Sequence, residues 1–375
     1  VKALVCAVAA VVVASAAHAR QSDAAAGGFR DGFRIETLSA GAGEKALLAA
    51  DLDGDGALDL AVAAQEQDRV LVFRGDGRGG FGAPTASPAG EAPNGLASAD
   101  FDADGRADLA AANHEARYLT VLLGAEDARF RPAPGAPVSI ATQPHSHMIA
   151  ATDIDGDGVV DLVVDSRDRQ AVVVLRGLGG GAFDAPGIDV NVGGTPYLGF
   201  ALGDLDGDGR SDLAAPNAND IGVLMNRSSD AIAFELVQAV RASAPFAVAL
   251  ADLDGDGAPE IVAASEGAGI TMFARSTGGA FEQRESFQAR AGAKSVAVGD
   301  FDGDGFDDAA VASWSGELLV LYGGAEGASA VPLPLGAIVA PWGLAAGDLD
   351  GDGRDDLAVA DAAGETINVY RRAGD

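Results

Sequence analysis

The chain is poor in cysteine, in positive charge and in aromatic rings. Cys6 is the single cysteine among 375 residues, and it lies in an apolar N-terminal stretch. No intramolecular disulfide can form, so a fold that survives outside the cell needs another staple. Lys and Arg number 25 against 56 Asp and Glu, a formal net charge of −31. That shortage of cations argues against a nucleic-acid or anionic-membrane partner. Aromatic residues make up 6% of the chain against 52 glycines, a balance that alone would fit disorder. The hydrophobic 48%, arranged in short β-type runs, speaks for a folded protein instead. Linear catalytic signatures are also missing: there is no G-x-S-x-G, HExxH or GK[ST] motif. Acid pairs outside the repeats described below are too scattered to nominate a general acid and base.

Residues 1–19 read as a secretory signal. Lys2 supplies a positive start, Ala3 to Val13 an apolar stretch, and Ala17-His18-Ala19 a cleavage site before Arg20. The stretch is too short and too rich in small residues to span a bilayer. An acyl anchor at Cys6 is not expected, because the apolar stretch continues beyond it. The expectation is a thiol-free, exported protein found in the periplasm, on the cell surface or in the medium.

What the chain has in abundance is one ten-residue phrase, which starts at Asp51, Asp100, Asp153, Asp204, Asp252, Asp300 and Asp348. The intervals of 49, 53, 51, 48, 48 and 48 residues define a repeat architecture. Each copy offers oxygens on alternate residues: carboxylates at positions 1, 3, 5 and 9, and a backbone carbonyl at position 7. The first copies present Asp51, Asp53, Asp55, Ala57 and Asp59, then Asp100, Asp102, Asp104, Arg106 and Asp108. The third and fourth present Asp153, Asp155, Asp157, Val159 and Asp161, then Asp204, Asp206, Asp208, Arg210 and Asp212. The fifth offers Asp252, Asp254, Asp256, Ala258 and Glu260. The last two offer Asp300, Asp302, Asp304, Phe306 and Asp308, and Asp348, Asp350, Asp352, Arg354 and Asp356. Alternating hard oxygens in a tight loop suit calcium, which takes six to eight of them. Glycines at positions 4 and 6 permit the turn, with Ala103 the exception at position 4 of the second copy.

The same spelling opens an EF-hand, but an EF-hand needs Glu at position 12 and flanking helices. Position 12 of the first copy is Val62. Positions 1, 3, 5 and 9 of the seven copies hold 28 of the 56 acids, and seven divalent ions would bring the net charge from −31 to −17. The expected cofactor is structural calcium, up to seven ions.

Between acid phrases the residues follow a fixed order. In the first repeat, Ala46–Ala50 precedes the phrase and Asp59–Ala64 follows it. A polar turn at Gln65–Asp68 leads to Arg69–Arg74, and a glycine-rich hairpin then delivers Phe81-Gly82-Ala83-Pro84 and a fourth, weaker strand. Both apolar runs are of strand length, so the expected fold is all-β, a seven-bladed propeller of four-stranded antiparallel blades over residues 33–375. Pro84 and Pro88 suit an outer edge strand, which has one side free of ladder bonds. The last repeat runs out after Thr366–Arg371 without a fourth strand. Phe33–Leu38, behind a linker over residues 20–32, is expected to complete that blade and close the ring.

The DxDGDGxxDL phrase, together with Phe81-Gly82-Ala83-Pro84 and Phe183-Asp184-Ala185-Pro186, resembles the FG-GAP/VCBS repeats of the integrin α-subunit propeller and its bacterial relatives. The resemblance spans the chain after its first nineteen residues. It implies a seven-bladed propeller with calcium between the first and second strands of each blade. It implies no single function, since such repeats occur in adhesion receptors, lectins and polysaccharide-degrading enzymes.

If the acid loops occupy one face, a ligand belongs on the other, around the channel mouth. The segments leading into each first strand place Asn94, His145, His147, Tyr197, Phe246, Lys294 and Trp342 there. Neighbouring turns add Asn113, His114, Arg117, Arg167, Arg169, Asn217, Asn219 and Trp314. These groups could bind a sugar or peptide, or simply plug the channel. His145 and His147 alone do not make a zinc site. The expected function is non-catalytic recognition of carbohydrate or of an extracellular protein by a monomer. A polysaccharide lyase or hydrolase using the same face, and an adhesion component, are the alternatives.

Overall fold

The computed structural model describes residues 32–41, 43, 45–125, 128–140, 146–196, 199–229, 231–267, 269–336 and 338–372. The expected signal and nearly all of the linker, like His145 and Tyr197, lie outside the described residues.

Seven antiparallel sheets follow one another along the described chain, six of four strands and that of blade 2 of five, with a two-stranded hairpin, Gly177–Gly179 and Ala182–Phe183, after the third strand of blade 3. Blade 1 runs Lys45–Ala50, Asp59–Ala64, Arg69–Phe73 and Thr85–Pro88. Blades 2 to 6 repeat the order, their first strands being Pro93–Ala99, Ile149–Thr152, Ala201–Gly203, Pro245–Ala251 and Ala293–Gly299. Blade 7 contributes Pro341–Gly347, Asp356–Asp361 and Thr366–Arg372, and takes its outer strand from the other end of the described chain. Phe33–Ser39 pairs antiparallel with Thr366–Arg372, from Phe33 opposite Arg372 to Ser39 opposite Thr366. Side chains tie the closure: Thr37 Oγ1 donates to Asn368 Oδ1 at 2.9 Å, and Arg371 pairs with Glu36 at 2.6 Å. The ring is an all-β, seven-bladed propeller closed as the repeat pattern predicts.

The second strand of each blade explains the composition. Asp59–Ala64 is buried along its whole length because blades cover both of its faces. Leu60, Val62 and Ala64 pack with Ala345, Leu349 and Ala358 of blade 7. The alternate residues Ala61 and Ala63 pack with Leu96, Leu109 and Ala111 of blade 2. The period-two alternation thus separates two apolar faces, and every interface between neighbouring blades holds its own apolar cluster.

Blade 2 departs from the pattern. Its outer edge is two short pieces, Arg129–Pro132 and Val138–Ser139, both paired with Tyr118–Ala125. Pro132, Pro134 and Pro137 lack the backbone N–H that a continuous strand would use.

Candidate functional sites: acidic loops and an axial cavity

The acid phrase forms the loop between first and second strands in each blade. In blade 1, Asp51 Oδ1 and Oδ2 accept the backbone N–H groups of Gly54 and Gly56 at 2.7 and 3.0 Å. Gly54 and Gly56 adopt φ of 80° and 90°, where a side chain would be strained. Asp55 Oδ1 accepts the N–H of Ala57 at 2.9 Å. In blades 1 to 5 the carboxylate oxygens of positions 1, 3 and 9 come within 4.8 Å of one another. Position 5 stands apart from that cluster.

Position 9 has a second task that its spacing did not disclose. Asp59 is fully buried, and its two oxygens accept the N–H groups of Leu52 at 3.0 Å and Gly75 at 2.9 Å. The same brace joins Asp108 to Phe101 and Gly124, Asp161 to Ile154 and Gly177, and Asp308 to Phe301 and Gly323. In these four blades the ninth acid therefore pins its loop to the end of the third strand. Burial pushes these carboxyls up: Asp59, Asp108 and Asp212 to about 6, Glu260 to about 7, Asp356 to about 8 and Asp308 to about 9. Neighbouring loop carboxylates add to the rise, since each opposes a further negative charge.

Such crowding fits a cation. Asp206 Oδ1 and Asp252 Oδ1 are buried acceptors with no hydrogen-bond partner among the described residues. Arginines at the ends of third strands supply part of the missing charge. Arg74 pairs with Asp53, Arg176 with Asp155 at 2.7 Å and Asp157 at 2.8 Å, and Arg227 with Asp206 at 3.3 Å. Hard carboxylate oxygens converging in threes, with unshared lone pairs, suit a divalent metal ion.

The opposite face holds a cavity of about 730 Å³ at the channel mouth. Bulges build it. The first strands slip register between Pro93 and Gly95, Pro245 and Ala247, Ala293 and Ser295, and Pro341 and Leu344. Asn94, Phe246, Lys294 and Trp342 sit at those bulges, where an extra residue re-aims its side chain. From blades 5 to 7 come Phe246, Lys294, Trp314 and Trp342. Lys294 Nζ lies 3.8 Å from the Phe246 ring centroid, 4.2 Å from that of Trp314 and 4.9 Å from that of Trp342. Blades 1 to 3 supply the facing polar wall of Gln65, Glu66, His114, Glu115, His147 and Arg167. There the His114 and His147 rings meet edge-to-face at 5.0 Å. Buried Asp165 accepts the backbone N–H groups of His147 and Met148 at 2.8 and 2.7 Å.

The FG-GAP-like repeat profile matches residues 51–111, 100–164, 252–311 and 300–359, more than half of the chain. The chain belongs to the FG-GAP-like repeat family. No curated protein sequence matches this FG-GAP protein. Among solved structures it is similar to BBS1N from a complex with ARL6DN, at 14% identity and a TM-score of 0.62, covering 90% of this chain and 96% of the other. It is also similar to the BP39L lectin from Burkholderia pseudomallei, at 17% identity and a TM-score of 0.60, covering 92% and 97%. A third is an Agrocybe aegerita lectin that recognises non-reducing terminal N-acetylglucosamine, at 19% identity and a TM-score of 0.56, with 86% of both chains covered. At these identities the likeness is one of fold.

Of the residues assigned to the channel mouth from sequence, the FG-GAP ring brings His114, His147, Arg167, Phe246, Lys294, Trp314 and Trp342 to one cavity. Asn94 occupies the corresponding bulge in blade 2 but is buried and does not line it. Other rim residues hold loops together. Asn113 Nδ2 donates to Tyr118 O and Thr120 Oγ1, both at 3.0 Å, and Asn217 Nδ2 to Val192 O at 3.0 Å. Arg169 pairs with Asp189 at 2.5 Å. Gln65, Glu66 and Glu115 were missed, although a signal existed. Gln65, His114, Arg167, Trp314 and Ala362 each lie six residues after the ninth-position acid of their own blade. His147, Phe246, Lys294 and Trp342 each lie six residues before the first.

Proposed function

We propose that this FG-GAP propeller is an exported, calcium-stabilised recognition module that binds carbohydrate in its axial cavity without chemistry. The observation that carries the reading is the division of that cavity into an aromatic wall with one lysine and a facing wall of amide, imidazole and carboxylate groups. Pyranose rings present an apolar face that stacks on indole and a rim of hydroxyls that needs donors and acceptors. The lectin folds among its structural neighbours fit the same reading.

Calcium is the ion proposed for the acid loops, on the grounds of hard oxygen donors, their number and the buried acceptors left without a hydrogen bond. Asp51, Asp53 and Asp59 would hold it in blade 1, with equivalents in the other blades. Its role is to neutralise and pin loops that already brace two strands.

The test is a glycan array probed with the protein in millimolar calcium, alongside a folded Trp342→Ala variant. The reading expects binding that the variant loses, with no new reducing ends or unsaturated products on incubation with the bound polysaccharide. A blank array for folded protein refutes the carbohydrate reading and points to a protein partner. Product formation refutes recognition without chemistry.

A further inference from the structure

The seven acid loops do not carry equal charge. The residue fifteen places after the ninth acid is Arg74, Leu123, Arg176, Arg227, Arg275, Gly323 and Arg371 in blades 1 to 7, at the end of each third strand. In blades 1, 3 and 4 this arginine folds onto the carboxylate at position 3. Arg74 pairs with Asp53, Arg176 with Asp155 at 2.7 Å and Arg227 with Asp206 at 3.3 Å. The Asp53 and Asp155 side chains are buried in these pairs, so salt screens them little. In blade 5 the equivalent Arg275 turns its Nε to Gly279 O at 3.4 Å, and in blade 6 the position is a glycine. Blades 2 and 7 lie between these cases: Arg131 stands 3.9 Å from Asp102, and Arg371 pairs with Glu36 at 2.6 Å. The loops of blades 5 and 6 gain a further acid instead. Asp307 Oδ2 accepts the Asp252 N–H at 2.8 Å, and Asp355 Oδ2 accepts the Asp300 N–H at 3.0 Å, each reaching across from the following blade. The count is then four acids and a guanidinium in blades 1, 3 and 4, against five acids in blades 5 and 6. Loops of both kinds keep lone pairs for an ion, since Asp206 Oδ1 and Asp252 Oδ1 are buried without a hydrogen-bond partner among the described residues.

Resting on the calcium reading above, we infer that the loops of blades 5 and 6 are the high-affinity calcium sites, and that Arg74, Arg176 and Arg227 are resident counter-ions that weaken the sites of blades 1, 3 and 4. Calcium loops set their affinity by the number of charged ligands and by rigidity. A guanidinium on the position 3 carboxylate engages an oxygen that the metal would use, and it repels a dication. The same arginine leaves its loop partly neutralised when calcium is scarce. Blades 1, 3 and 4 therefore keep their loops in order at calcium levels where blades 5 and 6, with five acids and no such pair, depend on the ion.

The experiment titrates calcium chloride into the chelated full chain at fixed ionic strength and follows each loop by hydrogen–deuterium exchange of its peptides. The expected result is two classes, in which calcium completes the protection of residues 252–260 and 300–308 at about 10-fold lower free concentration than that of residues 51–59, 153–161 and 204–212. Parallel titrations use Arg176→Gln and Asp307→Asn, the latter keeping an amide oxygen that can accept the Asp252 N–H. Arg176→Gln should lower the calcium midpoint of residues 153–161 by about 10-fold, equivalent to about 1.4 kcal/mol, and leave that of residues 252–260 unchanged. Asp307→Asn should raise the midpoint of residues 252–260 toward the weaker class. One common midpoint for all loops, or the reverse order, overturns the ranking while leaving the calcium reading intact. An Arg176→Gln midpoint equal to that of the wild type overturns the counter-ion role. No calcium-dependent protection in any loop, together with no bound calcium by elemental analysis, overturns both readings. If Arg176→Gln does not fold, the wild-type order and Asp307→Asn still decide the matter.

Discussion

Ala103 occupies position 4 of the second acid loop at φ 62°, where the other six loops carry glycine. An L side chain there costs roughly 1–2 kcal/mol. Ala103→Gly should stabilise the protein by about 0.5–1 kcal/mol after the added backbone entropy of glycine, measured by denaturant unfolding. The ninth-position acids make a second residue-level prediction, for chelated protein. Their folded pKa values lie above the ordinary value of 3.8 for Asp, at about 6 for Asp59 and about 9 for Asp308. The folded state then holds protons more tightly than the unfolded chain, so stability is greatest below pH 4 for these groups and is lost as pH rises through 6 to 9. Thermal melts in chelator should show Tm falling across that window, and calcium should remove most of the fall. A flat profile in chelator would show that these carboxyls are not shifted. Sequence reading found these acids by spacing but assigned them only to the ion. Their brace to Gly75 or Gly323 was not legible, because it needs the third strand to return beside the loop.

Between neighbouring elements, two acids outside the oxygen-donor positions link whole loops. Asp307 Oδ2 accepts the Asp252 N–H at 2.8 Å while the Asp307 N–H donates to Asp252 O at 3.2 Å. Asp355 repeats the exchange with Asp300 at 3.0 and 2.9 Å. Position 8 is Leu58, Ala107, Val160, Ser211 and Pro259 in the first five copies, so this clamp joins blades 5 to 6 and 6 to 7 alone. Asp307→Ala or Asp355→Ala should each cost about 1–3 kcal/mol, because a partly buried backbone donor loses its acceptor. Denaturant midpoints measure it, and an unchanged midpoint would mean the exchange contributes nothing. The clamp was invisible in a search for shared residues, since it is a departure from the repeat. The closing strand was legible for the opposite reason: the last repeat lacked a member and Phe33–Ser39 had the composition to supply it. The bulges were not legible, as they depend on pairing. Without them Asn94, Phe246, Lys294 and Trp342 form only a list of residues in similar places.

At the scale of the whole molecule, seven acid loops lie at one end of the strands and the axial cavity at the other, and the proposed reading gives stability to the first and recognition to the second. If a loop is held at a hundredfold its Kd for calcium, each site adds about 2.7 kcal/mol to folding. Chelation should accordingly lower Tm well beyond 10 °C, and removal of bound ions with no change in Tm would contradict a structural role. Fold class was readable because the repeat states it seven times, and ring closure because the last repeat lacks one strand. The ligand was not, because its site takes one or two residues from each of several blades, and no linear motif records such a set. The most direct test of the account is to compare binding of the best glycan from the array to Trp314→Ala, on the cavity, and to Asp206→Asn, on the loop face, each shown to be folded. Loss of about 30-fold or more, roughly 2 kcal/mol, in the first and retained affinity in the second is the predicted result. The reverse pattern would place recognition at the metal loops and contradict the account.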